Sequence, residues 1–405
     1  MFSGVEKNRF MYQIVQLKKD KGFKILSTRH PWIFSGAVEK IEGALDNGDV
    51  VSVTDSDGKV VATGMYSKSS MIKVRILEYS DVEIDRGWVA GVIRNAVARR
   101  ELLGYGKSKG TTGYRMLYGE SDGIPGLVID RYGDAFVLQS SNPGADKLKP
   151  LIQDVLVNDY KAVRVHDRSD VTSRKNEGLD LINTVLYGTE SDNVEFKENG
   201  YDFVAAVKSG QKTGFFLDQK DARAAIGMFA KGRKVLNLFS YTGASGIYAM
   251  RNGAVSVHNI DSSDPALTLC HKHAELNDVP ADKFTTENAD VFQWIALQKG
   301  MAFDMIILDP PALVKTQKSV DAGTKAYHFV NRAAIRLLNP GGVLVTSSCS
   351  QHFPENDFVT TLRRAAVQAE RKFHVLRIIR QSGDHPASLY FSEALYLKTI
   401  VGIAE

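Results

Sequence analysis

Cysteine is scarce in this sequence, since only Cys270 and Cys349 occur among 405 residues. Two cysteines argue against a disulfide framework and against a zinc site built from cysteine ligands, and they suit a reducing cytoplasm. Long apolar runs are missing too, so no segment is predicted to span a membrane as a helix. Residues 1–12, MFSGVEKNRFMY, contain no apolar stretch of the kind found in secretory signals. We therefore expect a cytoplasmic protein.

Neither sign of charge dominates the composition. Lysine and arginine number 51 against 47 aspartate and glutamate residues, which gives a formal net charge of +4. This mild excess permits an RNA partner without requiring one. Hydrophobic residues make up 43% and charged residues 24% of the chain, as in ordinary globular proteins. The length predicts two or three domains.

The pattern between residues 234 and 261 is typical of a nucleotide-binding βαβ unit. A short apolar strand is followed by a turn of small residues containing Gly243 and Gly246, a helix, and a second strand that ends at Asp261. Such glycines let a ligand approach the backbone, and the terminal carboxylate can accept both hydroxyls of a ribose. The turn lacks the G-x-G-x-x-G pattern that holds a pyrophosphate. This favours a ligand with a ribose but no phosphate, such as S-adenosylmethionine; a glycine-rich turn of any α/β protein is the alternative.

Three stretches differ in predicted secondary structure. Residues 12–84 alternate short strands with turns and predict a small β-barrel, and residues 85–197 predict a central α/β domain. Residues 198–405 alternate strands and helices, which predicts a doubly wound, Rossmann-like α/β sheet. Ligands bind at the carboxyl ends of the strands in such sheets. Three candidate acids follow predicted strands of this last stretch: Asp261, Asp290 and Asp309.

Asp309 and Cys349 are the candidates for chemistry. Asp309 opens an Asp-Pro-Pro-Ala sequence, and Cys349 lies in Ser-Ser-Cys-Ser after another buried strand. A thiolate can add to carbon 6 of a pyrimidine, which makes carbon 5 reactive towards a methyl sulfonium. Asp309 could then bond the base edge, and the base must be flipped out or lie in a loop. The alternatives are a capping carboxylate and a buried small hydrophobe. Ala312 replaces the aromatic residue that would indicate amine methylation.

Basic and aromatic residues in three segments are candidates for contact with RNA. The aromatic-basic segment 29–36 could also be a core-filling corner, the loop 167–178 could be a plain loop, and the loop 384–386 could be a turn built by proline. The candidates are Arg29, His30, Trp32, Arg168, Arg174, Lys175 and His385.

The segment LTLCHKHAEL holds Cys270, His271 and His273 close together. Their spacing along one helix does not converge on a single ion, so we predict no metal site. We expect the cysteine in the core and both histidines on the surface.

Eight motifs together resemble one family, the PUA-containing class I S-adenosylmethionine-dependent methyltransferases that act on cytosine carbon 5 of 23S ribosomal RNA. They span nearly the whole chain: RHPWIFSG, GESDGIPGLVIDRYGD, RSDVTSRKNEG, KTGFFLDQKDAR, NLFSYTGASG, LDPP, SSCS and GDHP. The resemblance implies the domain order PUA, central α/β domain and methyltransferase. It also implies S-adenosylmethionine as cofactor, 23S ribosomal RNA as partner, and a homodimer as one option.

The resemblance also assigns roles to individual residues. Cys349 would be the nucleophile, and the residues from Lys212 to Phe216 would close over the cofactor. The family's cofactor contacts would fall on Lys212, Gly214, Phe215, Phe239, Gly243, Gly246, Asp261, Asn288, Asp290 and Asp309. Two positions depart from the family pattern. Ala312 stands where relatives have lysine or a second cysteine, so the group that removes the proton from carbon 5 is unidentified. Asn237 stands where an acid is usual, which leaves its contact with the cofactor open.

Other functions stay open at this point. One is an RNA methyltransferase that acts on guanine or an amine without covalent catalysis. Another is a non-catalytic RNA-binding factor in ribosome assembly, and a third is a small-molecule methyltransferase. Cys349 and the full set of acids at the strand ends favour the cytosine enzyme.

Overall fold

The computed structural model describes residues 11–106 and 110–405. The expectation about a secretory signal concerns residues 1–12, most of which lie outside this part. The chain forms two compact units: the first contains Met1–Val194, Ala205–Phe215 and Asp384–Ala394, and the second contains Glu195–Val204, Phe216–Gly383 and Leu395–Glu405. The division into domains at 12–84, 85–197 and 198–405 stays a prediction.

The first sheet of the first unit has six strands in the order β2-β6-β5-β4-β1-β3. Its elements are β1 (Gln13–Leu17), α1 (Lys21–Thr28), β2 (Trp32–Phe34), β3 (Val38–Ile41), β4 (Val50–Thr54), β5 (Val60–Tyr66) and β6 (Ile72–Glu78). All pairs are antiparallel except β1 with β4, which is parallel. Alternating side chains such as Val15, Leu17, Val51 and Val53 are buried beneath this sheet.

The second sheet of the first unit has five strands in the order β11-β10-β9-β8-β7. Its elements are α2 (Arg86–Leu102), β7 (Gly113–Tyr118), α3 (Gly119–Asp122), β8 (Leu127–Tyr132), β9 (Ala135–Ser140), α4 (Pro143–Asn158), β10 (Arg164–Asp167), α5 (Ser173–Asn176) and β11 (Thr184–Tyr187). The predicted hairpin at Gly133 is present as β8 and β9. Helix α4 connects β9 to β10, which pair in parallel as a crossover connection requires.

The second unit is built on a seven-stranded sheet. A two-stranded ribbon, β12 (Asn193–Glu198) and β13 (Tyr201–Ala206), precedes it in the chain. The sheet and its helices are α6 (Lys220–Phe229), β14 (Lys234–Leu238), α7 (Ala244–Arg251), β15 (Ser256–Asp261), α8 (Asp264–Leu276), β16 (Phe284–Asn288), α9 (Val291–Leu297), β17 (Phe303–Leu308), α10 (Val320–Leu337), β18 (Leu338–Ser348), α11 (Glu355–Gln368), β19 (Phe373–Ile379) and β20 (Lys398–Ala404). The strand order is β16-β15-β14-β17-β18-β20-β19.

The first five strands of this sheet run parallel, and β20 runs antiparallel to both of its neighbours. Chain order therefore reverses between β14 and β17, which is the switch point where ligands bind in doubly wound sheets. Central strand residues such as Leu236, Ile306 and Leu344 are completely buried. Continuous apolar strands of this kind need helices on both faces. The predicted doubly wound α/β sheet is present. No helix in the described ranges has the length and apolar character needed to cross a bilayer.

Candidate active site

The turn after β14 has an unusual backbone. Phe239, Tyr241 and Gly243 all have positive φ, at 57°, 47° and 73°. Only glycine adopts this region freely, and each non-glycine residue held there costs on the order of 1–3 kcal/mol. Such strain concentrates at ligand sites, where surrounding structure maintains it. The surrounding structure therefore holds this turn in one shape.

The two glycines of the turn are required by close packing. A Cβ on Gly243 would lie 2.1 Å from the Sγ of Cys270, and one on Gly246 would lie 2.7 Å from the Oδ1 of Asn259. We predicted that these glycines admit a ligand. The structure gives them another task, because they let the turn and α7 approach α8 and the sheet.

Asp261 ends β15 and is oriented by the glycine turn. Its Oδ2 accepts the backbone N–H of Tyr241 at 2.8 Å, and its Oδ1 accepts that of Ser263 at 3.0 Å. Each carboxylate oxygen retains capacity for another donor. Asn288 pairs with Asp261 in the strand register, is exposed, and donates to Asp264. Paired strand ends thus place acceptor groups side by side, as binding of a ribose requires.

Asp290 and Phe239 complete this side of the candidate cofactor site. Asp290 caps α9 by accepting the backbone N–H of Gln293 at 2.9 Å. The ring of Phe239 meets that of Phe292 edge to face, with 5.7 Å between centroids.

The residues around the turn fit S-adenosylmethionine. The Oγ of Ser240, inside the turn, is buried without a hydrogen-bond partner. A carboxylate and aromatic surface suit a ribose and an adenine, whereas a phosphate would call for cations.

Asn237 does not contribute its side chain to the candidate site, because that side chain is buried. Its side chain is only 2% exposed and its Nδ2 donates to the Oδ1 of Asn259 at 2.9 Å. Asn259 in turn donates to the carbonyl of Thr285 at 3.1 Å. The amides form a chain across β14, β15 and β16. The sequence indicates Asn237 as a candidate cofactor contact and leaves that contact open; its burial and its bond to Asn259 correct this interpretation.

Asp309 follows β17 directly, on the other side of the switch point. Both of its carboxylate oxygens accept from the Nε2 of Gln219, each at 3.0 Å. Asp309 is half-buried, and the following Pro310 is buried. The carboxylate is thus fixed at the carboxyl end of a central strand.

Cys349 follows β18, the strand beside β17. It is half-buried, whereas Cys270 is fully buried. The hydroxyls of Ser348 and Ser350, on either side of it, both bond the hydroxyl of Tyr327 at 2.9 Å. Leu308 pairs with Thr346 in the register, so Asp309 and Cys349 emerge at the same edge of adjacent strands. Asp309 and Cys349 therefore lie at one edge of the sheet as expected, and Cys349 is only half-buried.

The segment KTGFF belongs to the first unit as far as Phe215. Lys212 is exposed with φ at 52°, Gly214 has φ at 121°, and Phe215 is buried. The hydroxyl of Thr213 bonds that of Tyr132 at 3.1 Å, which anchors the segment. The roles of Lys212, Gly214 and Phe215 towards a cofactor stay predictions.

Some of the predicted RNA contacts lie at the surface of the first unit. Arg29 is exposed, and its guanidinium lies 5.6 Å from the centre of the Tyr79 ring. Trp32 donates its Nε1 to Glu120 at 2.9 Å, and His30 packs against Trp32. Lys175 is exposed as well. Of this group, Arg29 and Lys175 present charge to solvent.

Arg168, Arg174 and His385 are buried, which corrects their prediction as RNA contacts. Arg174 is 1% exposed and donates to both carboxylate oxygens of Asp146, at 2.9 and 2.8 Å. Arg168 donates to backbone carbonyls, and His385 bonds its neighbour Asp384 at 3.0 Å. Buried charges need internal partners, and these side chains have them. They fix loops instead of offering charge to a phosphate.

His273 was predicted at the surface, and that prediction is wrong. The ring is fully buried; Nδ1 lies 2.8 Å from the carbonyl oxygen of Thr242, and Nε2 lies 2.9 Å from the backbone nitrogen of Val204. Burial lowers the pKa of His273 to about 4. His273 thus holds the glycine turn. The available signal was its spacing of three from the buried Cys270, which puts both on one helical face.

Comparisons with known proteins identify a family and a domain in this chain. The model of the S-adenosylmethionine-dependent methyltransferase family matches residues 171–386, and that of the PUA-like domain matches residues 15–79. The chain is 39% identical to "Ribosomal RNA large subunit methyltransferase I" of Shewanella amazonensis, over 93% of this chain and 96% of that protein. It is 38% identical to the protein of the same name from Aeromonas salmonicida, with the same coverage.

Solved structures share the fold. SMU.776, a methyltransferase complexed with SAH, superposes with a TM-score of 0.80 at 22% identity, over 96% of this chain and 99% of that one. A SAM-dependent methyltransferase from Streptococcus mutans gives a TM-score of 0.79 at 22% identity, over 96% and 100%.

Proposed function

Because the chain belongs to the ribosomal RNA large subunit methyltransferase I family of S-adenosylmethionine-dependent methyltransferases, we propose that it methylates carbon 5 of a cytosine in large-subunit ribosomal RNA. The family confirms the predicted fold, the PUA-like domain and the cofactor. Large-subunit ribosomal RNA as substrate is supported by the names of the relatives. The choice of cytosine is supported by the placement of one thiol.

Cys349 carries the proposed chemistry. Its thiolate adds to carbon 6 of the base, a sulfur–carbon bond forms, and the electrons of the 5,6 double bond move to carbon 5. S-adenosylmethionine, when bound, supplies the electrophilic methyl group that carbon 5 takes. Loss of the carbon-5 proton then restores the double bond and expels the Cys349 thiolate. Asp309, fixed by Gln219, would bond the edge of the base and stabilise the adduct.

The single observation that supports cytosine most strongly is the difference between the two cysteines. Cys270 is fully buried, and burial, with the charge of Asp261, raises its pKa to about 12. Cys349 is half-buried at the carboxyl edge of the sheet, beside the strand that presents Asp309. Methylation of an amine or of guanine needs no thiol at that edge. A carbon-5 reaction needs one there.

Substitution of Cys349 tests this proposal. Cys349→Ala and Cys349→Ser should lose transfer of labelled methyl to ribosomal RNA, and nucleoside analysis of the wild-type product should show 5-methylcytosine. Calorimetry should show that Cys349→Ala still binds S-adenosylmethionine. Cys270→Ala is the matched control and should keep transferring methyl. Full activity of Cys349→Ala, or a methylated guanine or amine in the product, would contradict the proposal.

A further inference from the structure

Lys398 is an unusual residue to find at the start of a strand. It is 3% exposed and opens β20, where it pairs with Ser348 of β18. Its Nζ donates to the carbonyl oxygens of Ser350 and Phe353, at 2.7 and 2.8 Å. Lysine is almost never fully buried unless it is paired. Here the partners belong to the turn that follows β18.

Two of the residues that Lys398 contacts, Ser348 at the end of β18 and Ser350 in the turn, flank Cys349. Ser348 is its neighbour across the sheet, and Ser350 accepts its hydrogen bond. Burial and the positive charge of Arg380 lower the pKa of Lys398 to about 8. Negative charge at Cys349 and Glu355 acts in the opposite direction and raises this pKa. Interactions between two charges are mutual. The ammonium at 398 therefore favours a thiolate at 349.

We propose that Lys398 is a positioning residue for Cys349: its hydrogen bonds fix the turn that carries the sulfur, and its ammonium charge stabilises the thiolate. The proposal rests on Cys349 being the nucleophile of the proposed function. It adds a residue that no motif in the sequence pointed to. Lys398 does not contact the base and acts only through Cys349.

Among the described residues, the other titratable groups around this turn supply no buried, unpaired cation, and His352, within the turn, is exposed. Tyr327, from α10, is neutral and bonds the two serines. Glu355, at the start of α11, is paired with Arg380 at 2.6 Å, so these two charges largely cancel. Asp309, after β17, is an acid and supplies no positive charge. Lys398 is thus the buried cation of this group.

Alkylation of Cys349 by iodoacetamide, measured without RNA, tests the proposal. The rate follows the thiolate fraction, and mass spectrometry reads Cys349 and Cys270 separately. In the wild type, the alkylation rate should reach half its maximum below about pH 8.5, which is the pKa of an ordinary cysteine thiol. Lys398→Gln keeps a donor but removes the charge. This substitution should slow alkylation of Cys349 about tenfold at neutral pH, and it should raise the pH of the half-maximal rate by about one unit.

Two comparisons separate charge from loss of structure. Lys398→Arg keeps the charge and should retain most of the wild-type rate, and Lys372→Gln, a change at a residue on the protein surface, should leave the profile unchanged. Buried Cys270 reports on folding, because its alkylation would show an opened core. An unchanged profile in Lys398→Gln overturns the proposal. So does a wild-type midpoint at or above about pH 8.5, which needs no variant. Because no methyl transfer is measured, this result is independent of whether cytosine is the substrate.

Discussion

Acid should weaken the second unit through His273, whose ring bridges the glycine turn and Val204. One nitrogen faces the carbonyl of Thr242 and the other faces the backbone nitrogen of Val204. These partners fit a neutral ring with its hydrogen on Nδ1, donating to Thr242 and accepting from Val204. Protonation would put a second hydrogen on Nε2, against the Val204 N–H, and the Val204 carbonyl oxygen at 3.2 Å offsets only part of the cost of burying the charge. The folded state therefore resists the charge that the unfolded state accepts.

The magnitude follows from the pKa of His273, which burial lowers from 6.5 to about 4. Between these values the unfolded chain binds the proton and the folded chain does not, so stability is present above about pH 6.5 and is lost as pH falls towards 4. The full loss is about 3 kcal/mol, of which about 2 kcal/mol appears by about pH 5. Typical domains have a total stability of only about 5–15 kcal/mol. The effect is large enough to measure.

Urea unfolding of the wild type and of His273→Gln at about pH 7.5 and about pH 5 is the assay. Glutamine can accept from Val204 and donate to Thr242 but does not titrate. The variant should be less stable at neutral pH. Its further loss on acidification should be about 2 kcal/mol smaller than that of the wild type. Equal losses in both proteins would show that His273 is not the responsible group.

Two further predictions concern ligand contacts. Asp261→Asn should reduce the affinity for S-adenosylmethionine in calorimetry by about 10- to 100-fold, because charge-assisted hydrogen bonds contribute about 1.5–3 kcal/mol; unchanged affinity would place the ribose elsewhere. Arg29→Ala and Lys175→Ala should each weaken RNA binding and reduce its salt dependence by about one charge in filter-binding titrations. Arg174→Ala should instead lower the stability of the first unit by about 1–3 kcal/mol, since it leaves the carbonyl oxygens of Ser140 and Asp180 without their donor, while Lys149 still pairs with Asp146. A stable Arg174→Ala protein with weakened RNA binding would show that Arg174 contacts RNA and is not needed for the fold.

The acids and the cysteine at the strand ends could be predicted because their positions depend on local pattern. An apolar run followed by a polar residue marks the end of a parallel strand, and parallel strands place their carboxyl ends on one edge. Asp261, Asp309 and Cys349 are all found there. The pattern does not depend on knowing which strands are neighbours.

The buried polar residues could not be predicted in this way, because their partners are distant in sequence. Arg174 bonds a carboxylate 28 residues away, and His273 bonds backbone atoms 31 and 69 residues away. Arg174 lies in a polar stretch that is typical of a surface, and for His273 the only local signal is its helical spacing from Cys270. Only the tertiary fold supplies the acceptors that make burial tolerable. The parallel pairing of β1 with β4 escaped prediction for the same reason.

The antiparallel direction of β20 gives Lys398 its place beside Cys349. Parallel strands bring only their last residues to the carboxyl edge of a sheet, and those residues are followed by loops. An antiparallel strand brings its first residue there instead, directly hydrogen-bonded to its neighbour. Lys398 opens β20 opposite Ser348, although 49 residues separate it from Cys349 in the chain. In the sequence LYLKTI, Lys398 looks like an ordinary strand residue. Its contact with the turn depends on the direction and register of β20, and the local sequence does not encode either of them.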